Sequence, residues 1–560
     1  GMFNNTTTTT KGQDSDYDHV ALPPNTNIGE NGTVQLTEKG VGDIRLVFFS
    51  SLCRGATDEK LNTLFEQYYA VINEDNKVEM ICDLFTLMFE KRDCRGGEGE
   101  KKLFFDMFTR IEEKYSDITF AIMHLIPEYG SWKDMWTLTS HVNTVKRDEI
   151  YKISSEQIVK DINATKDGDL TLCAKWSPSE RSEHYKRLYP SIKDYMKLIH
   201  PTSTTLEKDY RKTLVDLRER TNVPEQLMCT GRYGDIDPTK VPSICANKNR
   251  KAFLNIDLDG EKEMNYETGN RFAENPDRIK SRQLWLKAVK EKKIKGGQLD
   301  PPTLVASVLS TTDPDELAFI NCQWEDLIKK TRGQIDKALK DGFEPMTNII
   351  PIIDMSPSMN GLPIQAAIGL GIMLSELCDT TYGNVVISFD DKSTIVPLNP
   401  RLPFSDRVKI IQDIPMGYST NFHLAMTRLC EIIKKYNLKQ DNLPVLCILT
   451  DEQMDQQHQF GYNATVDDQI KEMFVQLGNE MHGSPFTRPR TVHWNLRANV
   501  EGYPVKSCEN NVQAITGYSA SLLDLILTGK PEPSPYDTMR RKLDSVRYDA
   551  VRDIVKPLIV

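Results

Sequence analysis

The sequence predicts an α-helical module followed by a doubly wound α/β domain, and three observations carry that reading. Between about 40 and 345 apolar residues recur at helical spacing, with no β-branched runs between the helical segments. After about 346 short β-rich runs alternate with amphipathic stretches, the grammar of a mostly parallel sheet covered by helices. Glycine-containing polar turns stand where the helical periodicity stops.

Residues 1–30 are polar, rich in Thr and Asn and aperiodic, so they read as a disordered leader that cannot repay the entropy of ordering. In 80–90 the positions Ile81, Leu84, Phe85 and Met88 share a helical face. The turn 92–97 follows, and Leu103, Phe104, Met107, Phe108 and Ile111 open a second helix, so the pair reads as a helical hairpin. Another stop falls at 127–132, and further helices are predicted around 150–163, 178–199 and 203–219. Such hairpins build either a curved, HEAT-like array or a compact bundle over 31–345. Strands are predicted at 347–354, 384–390, 444–451 and 491–496 in an α/β domain over 346–530, and a C-terminal helical segment over 531–560.

The chain has 560 residues, 39% of them hydrophobic, and a net charge of −10, an ordinary globular composition with no basic field over the whole molecule. Nucleic-acid binding would therefore need a local patch. The eleven cysteines are scattered without a CxxC pair, which argues against a zinc site or a disulfide framework and for a reduced, cytoplasmic setting. No apolar run is long enough to span a bilayer.

In an open parallel sheet, ligands bind beyond the carboxyl ends of the strands. The first predicted strand ends there in Asp354-Met355-Ser356-Pro357-Ser358, a D-x-S-x-S turn that offers a carboxylate and two hydroxyls from alternate residues. Thr420, in the loop that opens the helix at Phe422, supplies a third hydroxyl, and Asp451 ends the buried strand 444–451 with a second carboxylate. Five oxygen side chains on three loops of one edge suit a hard cation, Mg²⁺ or Mn²⁺. The competing reading is that the serines and Thr420 cap helices while the aspartates end strands.

This stretch resembles a von Willebrand factor A domain. The resemblance implies that Asp354, Ser356, Ser358, Thr420 and Asp451 hold a divalent ion, directly or through water, and that a partner's carboxylate completes the site. Ser419 stands where that family often has Gly before the Thr, a departure that removes no ligand. The segments 92–105, 127–136, 174–180, 323–330, 367–377 and 492–497 extend the resemblance to an uncharacterised family of eukaryotes and large DNA viruses. That family joins a helical module to a C-terminal A domain on the plan of the Ro autoantigen (TROVE) proteins, and the resemblance implies RNA binding by the helical module.

The local patch such binding needs is present at 278–295, where Arg278, Lys280, Arg282, Lys287, Lys290, Lys292, Lys293 and Lys295 face one acid, Glu291, with Trp285 among them. The alternative is a solvated helix whose Leu284, Trp285, Leu286 and Val289 pack on the core. A second basic group, Arg540, Arg541, Lys542, Arg547 and Arg552, is interleaved with acids and reads as an ordinary solvated helix. Asn255–Gly260 imitates the start of a calcium loop, but its twelfth position is Tyr266 instead of Glu. Neither a Walker A motif, a nucleophile elbow nor HExxH occurs, and His423 reads as a first-turn helix residue. The expectation is a non-enzymatic RNA-binding scaffold with a Mg²⁺-dependent adhesion site. The alternatives are a module that captures an acidic protein ligand through the metal and, last, a metal-dependent hydrolase.

Overall fold

The computed structural model describes the backbone of 26–28 and 34–36, and residues 42–221, 223–256, 270–342, 344, 346, 348–378, 380–417, 421–451, 466–497, 511–523 and 534–560. Of the expected leader only Thr26–Ile28 is included; it forms β1, antiparallel to β2 (Val34–Leu36). Most of the calcium-like loop, 257–269, lies outside the described residues.

The N-terminal region is helical. Helix Lys77–Arg92 is buried from Met80 to its last residue, and Lys101–Lys114 follows it across the predicted turn. The helix expected over 178–199 is two, Glu183–Leu188 and Ile192–Ile199, because Pro190 between them has no N–H to give. The region does not share one bundle core. Trp136, Tyr151, Tyr195 and Tyr210 centre one apolar cluster and Phe253, Trp285 and Phe319 another, while the helices over 44–138 and 299–335 contribute to a third that runs on into the C-terminal domain.

That domain is a six-stranded sheet of β3 (Ile349–Asp354), β4 (Val385–Phe389), β5 (Thr394–Pro397), β6 (Val445–Thr450), β7 (Thr491–Asn495) and β8 (Val512–Thr516), in the order β5-β4-β3-β6-β7-β8. All neighbours are parallel except the edge pair β4–β5. The four predicted strands are present to within two residues at either end. The two unpredicted ones are the edges: β5 ends in Pro397, which an edge tolerates, and β8 lies beyond a segment without a clear apolar pattern. Side chains alternate between faces. Ile350, Ile352, Ile387, Phe389, Leu446 and Ile448 meet helices Phe422–Lys435 and Val466–His482, whereas Ile349, Ile353, Val386, Cys447, Leu449 and Trp494 face the cluster shared with the helical region.

Helix Leu362–Leu377 forms the joint. Its Gly369 lies against Pro301, where an added Cβ would come within 3.0 Å of that residue's backbone, and Gly371, on the opposite side, lies against Ile353 of β3. Two glycines two residues apart point nearly opposite ways on a helix, so one helix approaches closely both the sheet and helix Pro301–Leu309. Beside it Trp324 stacks on Phe404 with ring centroids 3.9 Å apart and planes 5° apart, and its indole N–H donates to Glu376 at 3.0 Å.

The C-terminal helical segment corrects one expectation. Helices Pro535–Leu543 and Asp549–Val555 pack on Lys77–Arg92, and their basic residues are largely engaged there. Arg540 pairs with Asp83, Arg547 pairs bidentately with Asp93, the Lys542 ammonium donates to the Gly96 carbonyl, and the Tyr548 hydroxyl donates to Asp93 at 2.9 Å. The Tyr548 ring stacks on Tyr129 at 5.6 Å. A partner more than 400 residues away leaves no local trace, which is why the segment reads as solvated. The ten described cysteines form no disulfide, and no described helix is long and apolar enough to cross a membrane.

Two outcomes follow from these contacts. Gly369→Ala has to displace the Pro301 backbone and is expected to cost about 1–3 kcal/mol, read as a lower Tm. Burial alone would raise the Asp93 carboxyl, but Arg547, with the Arg95 N–H and the Tyr548 hydroxyl, holds it below its ordinary 3.8. The stabilisation it gives is therefore complete above about pH 3.8 and fades as pH falls through the depressed value. Asp93→Asn is expected to cost about 2 kcal/mol near neutrality, and denaturation followed from neutral to acid pH should show the gap to wild type closing below pH 3.8.

Candidate cation site at the carboxyl edge of the sheet

From β3 the chain crosses to β4 on one side and later returns to β6 on the other, so the carboxyl end of β3 is the point where strand order reverses. Such a point leaves a crevice between crossovers that run in opposite directions. Asp354, the last residue of β3, lies there fully buried. Its Oδ1 accepts from the Ser356 backbone N–H at 2.8 Å and its Oδ2 from the Thr450 hydroxyl at 2.8 Å. The turn that follows brings the Ser356 and Ser358 hydroxyls to 3.0 Å of each other. Ser356 is buried and Ser358 half-buried.

The register Ile353 to Leu449 sets Thr450 level with Asp354, and Asp451 follows just beyond the end of β6. Asp451 is also fully buried. Burial, and then the neighbouring Asp451 charge, push the Asp354 carboxyl up to about 7 against the hydrogen bonds from Ser356 and Thr450. One nearby cation is present: the Arg497 guanidinium, just past β7, lies 3.8 Å from Asp451 Oδ2.

The structure thus brings four of the five sequence-derived ligands, Asp354, Ser356, Ser358 and Asp451, to one edge. The fifth, Thr420, lies outside the described residues; of the residues before it, Gly417 is placed at this edge. An added Cβ on Gly417 would meet Asp390 and Asp391, in the turn after β4. Asp390 was not among the sequence candidates. It is buried at the carboxyl end of β4 and accepts from the Lys392 and Ser393 backbone N–H groups at 3.0 and 2.8 Å, so it braces the turn. The strand-ending position was the signal that could have found it. Asn421 caps helix Phe422–Lys435 by accepting from the Leu424 N–H, and His423 sits in the first turn, as its position in the sequence implied.

A hard divalent ion fits these donors. They are all oxygens, and the two carboxylates are buried close enough for one to raise the other. Among the described residues no group of three or more His, Cys, Asp and Glu side chains is placed to hold an ion. Two carboxylates cannot complete the shell of a hard cation alone, so hydroxyl oxygens from Ser356 and Ser358, and water, would have to supply the remainder.

The basic stretch is divided by the fold. Trp285 is fully buried, stacked on Phe253 at 4.4 Å and beside Phe319 at 5.4 Å, so the tryptophan belongs to the core. Arg278 lies over the Tyr233 ring at 4.0 Å and donates to the Ala252 carbonyl, and Arg282 is buried, donating to the Leu254 carbonyl and pairing with Asp315. The remaining six, Lys280, Lys287, Lys290, Lys292, Lys293 and Lys295, are exposed along helix Pro276–Lys290 and the turn after it. Lys292 and Lys293 reach Glu325 and Glu291 at 3.0 and 3.1 Å. Lys280, Lys290 and Lys295 form no ion pair among the described residues.

Two family models match the chain, both described as domains of unknown function: DUF2828 over 133–335 and DUF7788 over 348–560. Their limits fall on the helical region and on the sheet domain with its C-terminal helices. The chain is also similar to the uncharacterized protein L728 of Acanthamoeba polyphaga mimivirus, at 28% identity over 532 residues, covering 90% of this chain and 85% of that one. The likeness spans the helical region and the sheet domain together and reaches a large DNA virus.

Proposed function

We propose that the protein is a non-enzymatic scaffold whose sheet domain is a von Willebrand factor A-type domain, holding Mg²⁺ or Mn²⁺ at the carboxyl edge of β3 and β6 and capturing an acidic protein ligand through it. The observation that carries this reading is the pair of buried carboxylates, Asp354 and Asp451, with the Ser356 and Ser358 hydroxyls beside them at the strand-order switch point. Asp354, Ser356, Ser358 and Asp451, with Thr420, would hold the ion. Bound there, it would supply an electrophilic centre. Neutral hydroxyl ligands leave most of the ion's charge uncompensated, which favours holding an anionic oxygen over activating water for turnover. Arg497 adds a second positive group at the same edge.

The test is a pair of thermal melts, in chelator and in Mg²⁺. Ligand binding to the folded state alone adds about 2.7 kcal/mol at a hundredfold excess over Kd, so Mg²⁺ is expected to raise the wild-type Tm. Asp354→Asn removes a carboxylate that would hold the ion, and one of its two accepting oxygens, so whatever its Tm in chelator, its response to Mg²⁺ should disappear. A response that persists in both Asp354→Asn and Asp451→Asn overturns the cation assignment. With immobilised poly-glutamate as the probe, retention in Mg²⁺ and release by chelator is the expected outcome, and retention that ignores chelator counts against capture through the ion.

RNA binding by the helical module, on the Ro-like plan, is a second reading, favoured by the six exposed lysines on and after helix Pro276–Lys290. Binding of a structured RNA with a single-stranded tail is expected to weaken with salt, the slope becoming shallower by about 0.7–0.9 for each phosphate that is no longer neutralised. Charge reversal at Lys287, Lys290, Lys292 and Lys293 should abolish it with only a small loss of Tm, because all four are exposed and the pairs with Glu291 and Glu325 that it breaks are surface pairs. Gel shifts across a salt series read this directly, and no binding even at low salt sinks it.

A further inference from the structure

A cavity of about 410 Å³ lies between the helical region and the sheet domain, and none of the cation-site residues lines it. Its walls come from the turn after helix Lys77–Arg92, from 297–303, from helix Pro314–Lys340 and from Ser519 and Ala520 beyond β8. A void of this size lies in the ordinary range for small-molecule sites.

Its polar lining is dominated by groups that donate. Arg92, Arg95, Lys101 and Lys330 all border it. Arg92 and Lys101 share one carboxylate, Asp134, at 2.8 and 3.6 Å. Arg95, exposed, enters no ion pair among the described residues. The acids on the wall do little to offset these charges: Asp300 is bound to Arg54 at 3.1 Å and caps helix Pro301–Leu309 through the Thr303 N–H at 2.9 Å.

Glu98 also borders the cavity, but its side chain is 1% exposed and its Oε1 accepts from the Lys91 ammonium at 2.7 Å, so this carboxyl is enclosed in the wall and paired there.

We propose that this cavity is a binding site for a small phosphate-bearing anion, held by Arg95, Lys101 and Lys330. An oxygen-rich anion is what a wall of cations and neutral donors recognises, and phosphate has several acceptor oxygens for guanidinium and ammonium groups to share. The walls come from the helical region and the sheet domain alike, so an occupant would also bridge the two.

Calorimetric titration of the full chain with pyrophosphate, in chelator so that no rim cation takes part, tests the assignment. Saturable 1:1 binding is expected. Removing one charge-assisted hydrogen bond is worth about tenfold or more in Kd, so Arg95→Ala, at an exposed position, should weaken binding at least that much while leaving Tm unchanged. Lys287→Ala, at a lysine outside the cavity, should have no effect. No saturable binding below about 10 mM, or affinity unchanged in Arg95→Ala, overturns the proposal.

Discussion

Everything else in the molecule is arranged around one close approach, the wedging of helix Leu362–Leu377 between β3 and helix Pro301–Leu309. At Gly369 and Gly371 the helix itself adds no side chain to the contact, meeting Pro301 on one side and the Ile353 side chain on the other, and helix, sheet and N-terminal region share one continuous core instead of two cores with a linker. Dense packing of this kind tolerates neither added volume nor sliding. Along the chain helix Pro314–Lys340 gives way to β3 at Ile349, but the packing is not divided there. Apolar residues from Leu46 to Val555 belong to the same cluster.

The sheet was legible because its central strands are buried on both faces and so appear as unbroken apolar runs with sharp polar ends. Asp354 and Asp451 were legible for the same reason, as carboxylates at the ends of such runs. What the sequence hid is what depends on distant partners. Edge strand β5 is largely exposed and β8, though buried, carries Gln513 and Thr516 among its apolar residues, and the arginines of the last thirty residues resemble any solvated helix until Asp83 and Asp93 are brought beside them. Trp285 shows the opposite error of scale. A tryptophan among eight basic residues suggests a stacking platform, yet the helix turns it inward onto Phe253 and leaves lysines outside.

Most of the segments on which the family resemblance rests contain joints. Asp93, in 92–105, receives Arg547 and Tyr548; Trp324, in 323–330, stacks on Phe404; Gly369, in 367–377, lies against Pro301; Asn495, in 492–497, donates to the Ser51 carbonyl at 3.3 Å. Each of these contacts ties a residue of the helical region to one that follows it in the chain. Arg95, Lys101 and Lys330 of the cavity also lie in these segments, whereas the rim hydroxyls and the lysines of 280–295 lie outside them.

The wedged helix also runs between the two candidate sites. It begins at Leu362, four residues after Ser358 on the rim, and its Gly369 lies against Pro301, close to the Asp300 and Thr303 that border the cavity. Close contact at Pro301 on one side and at the Ile353 side chain on the other leaves little free volume beside the helix at these two points. One packed element therefore links the rim and the cavity wall, although the chemistry of the two sites is separate.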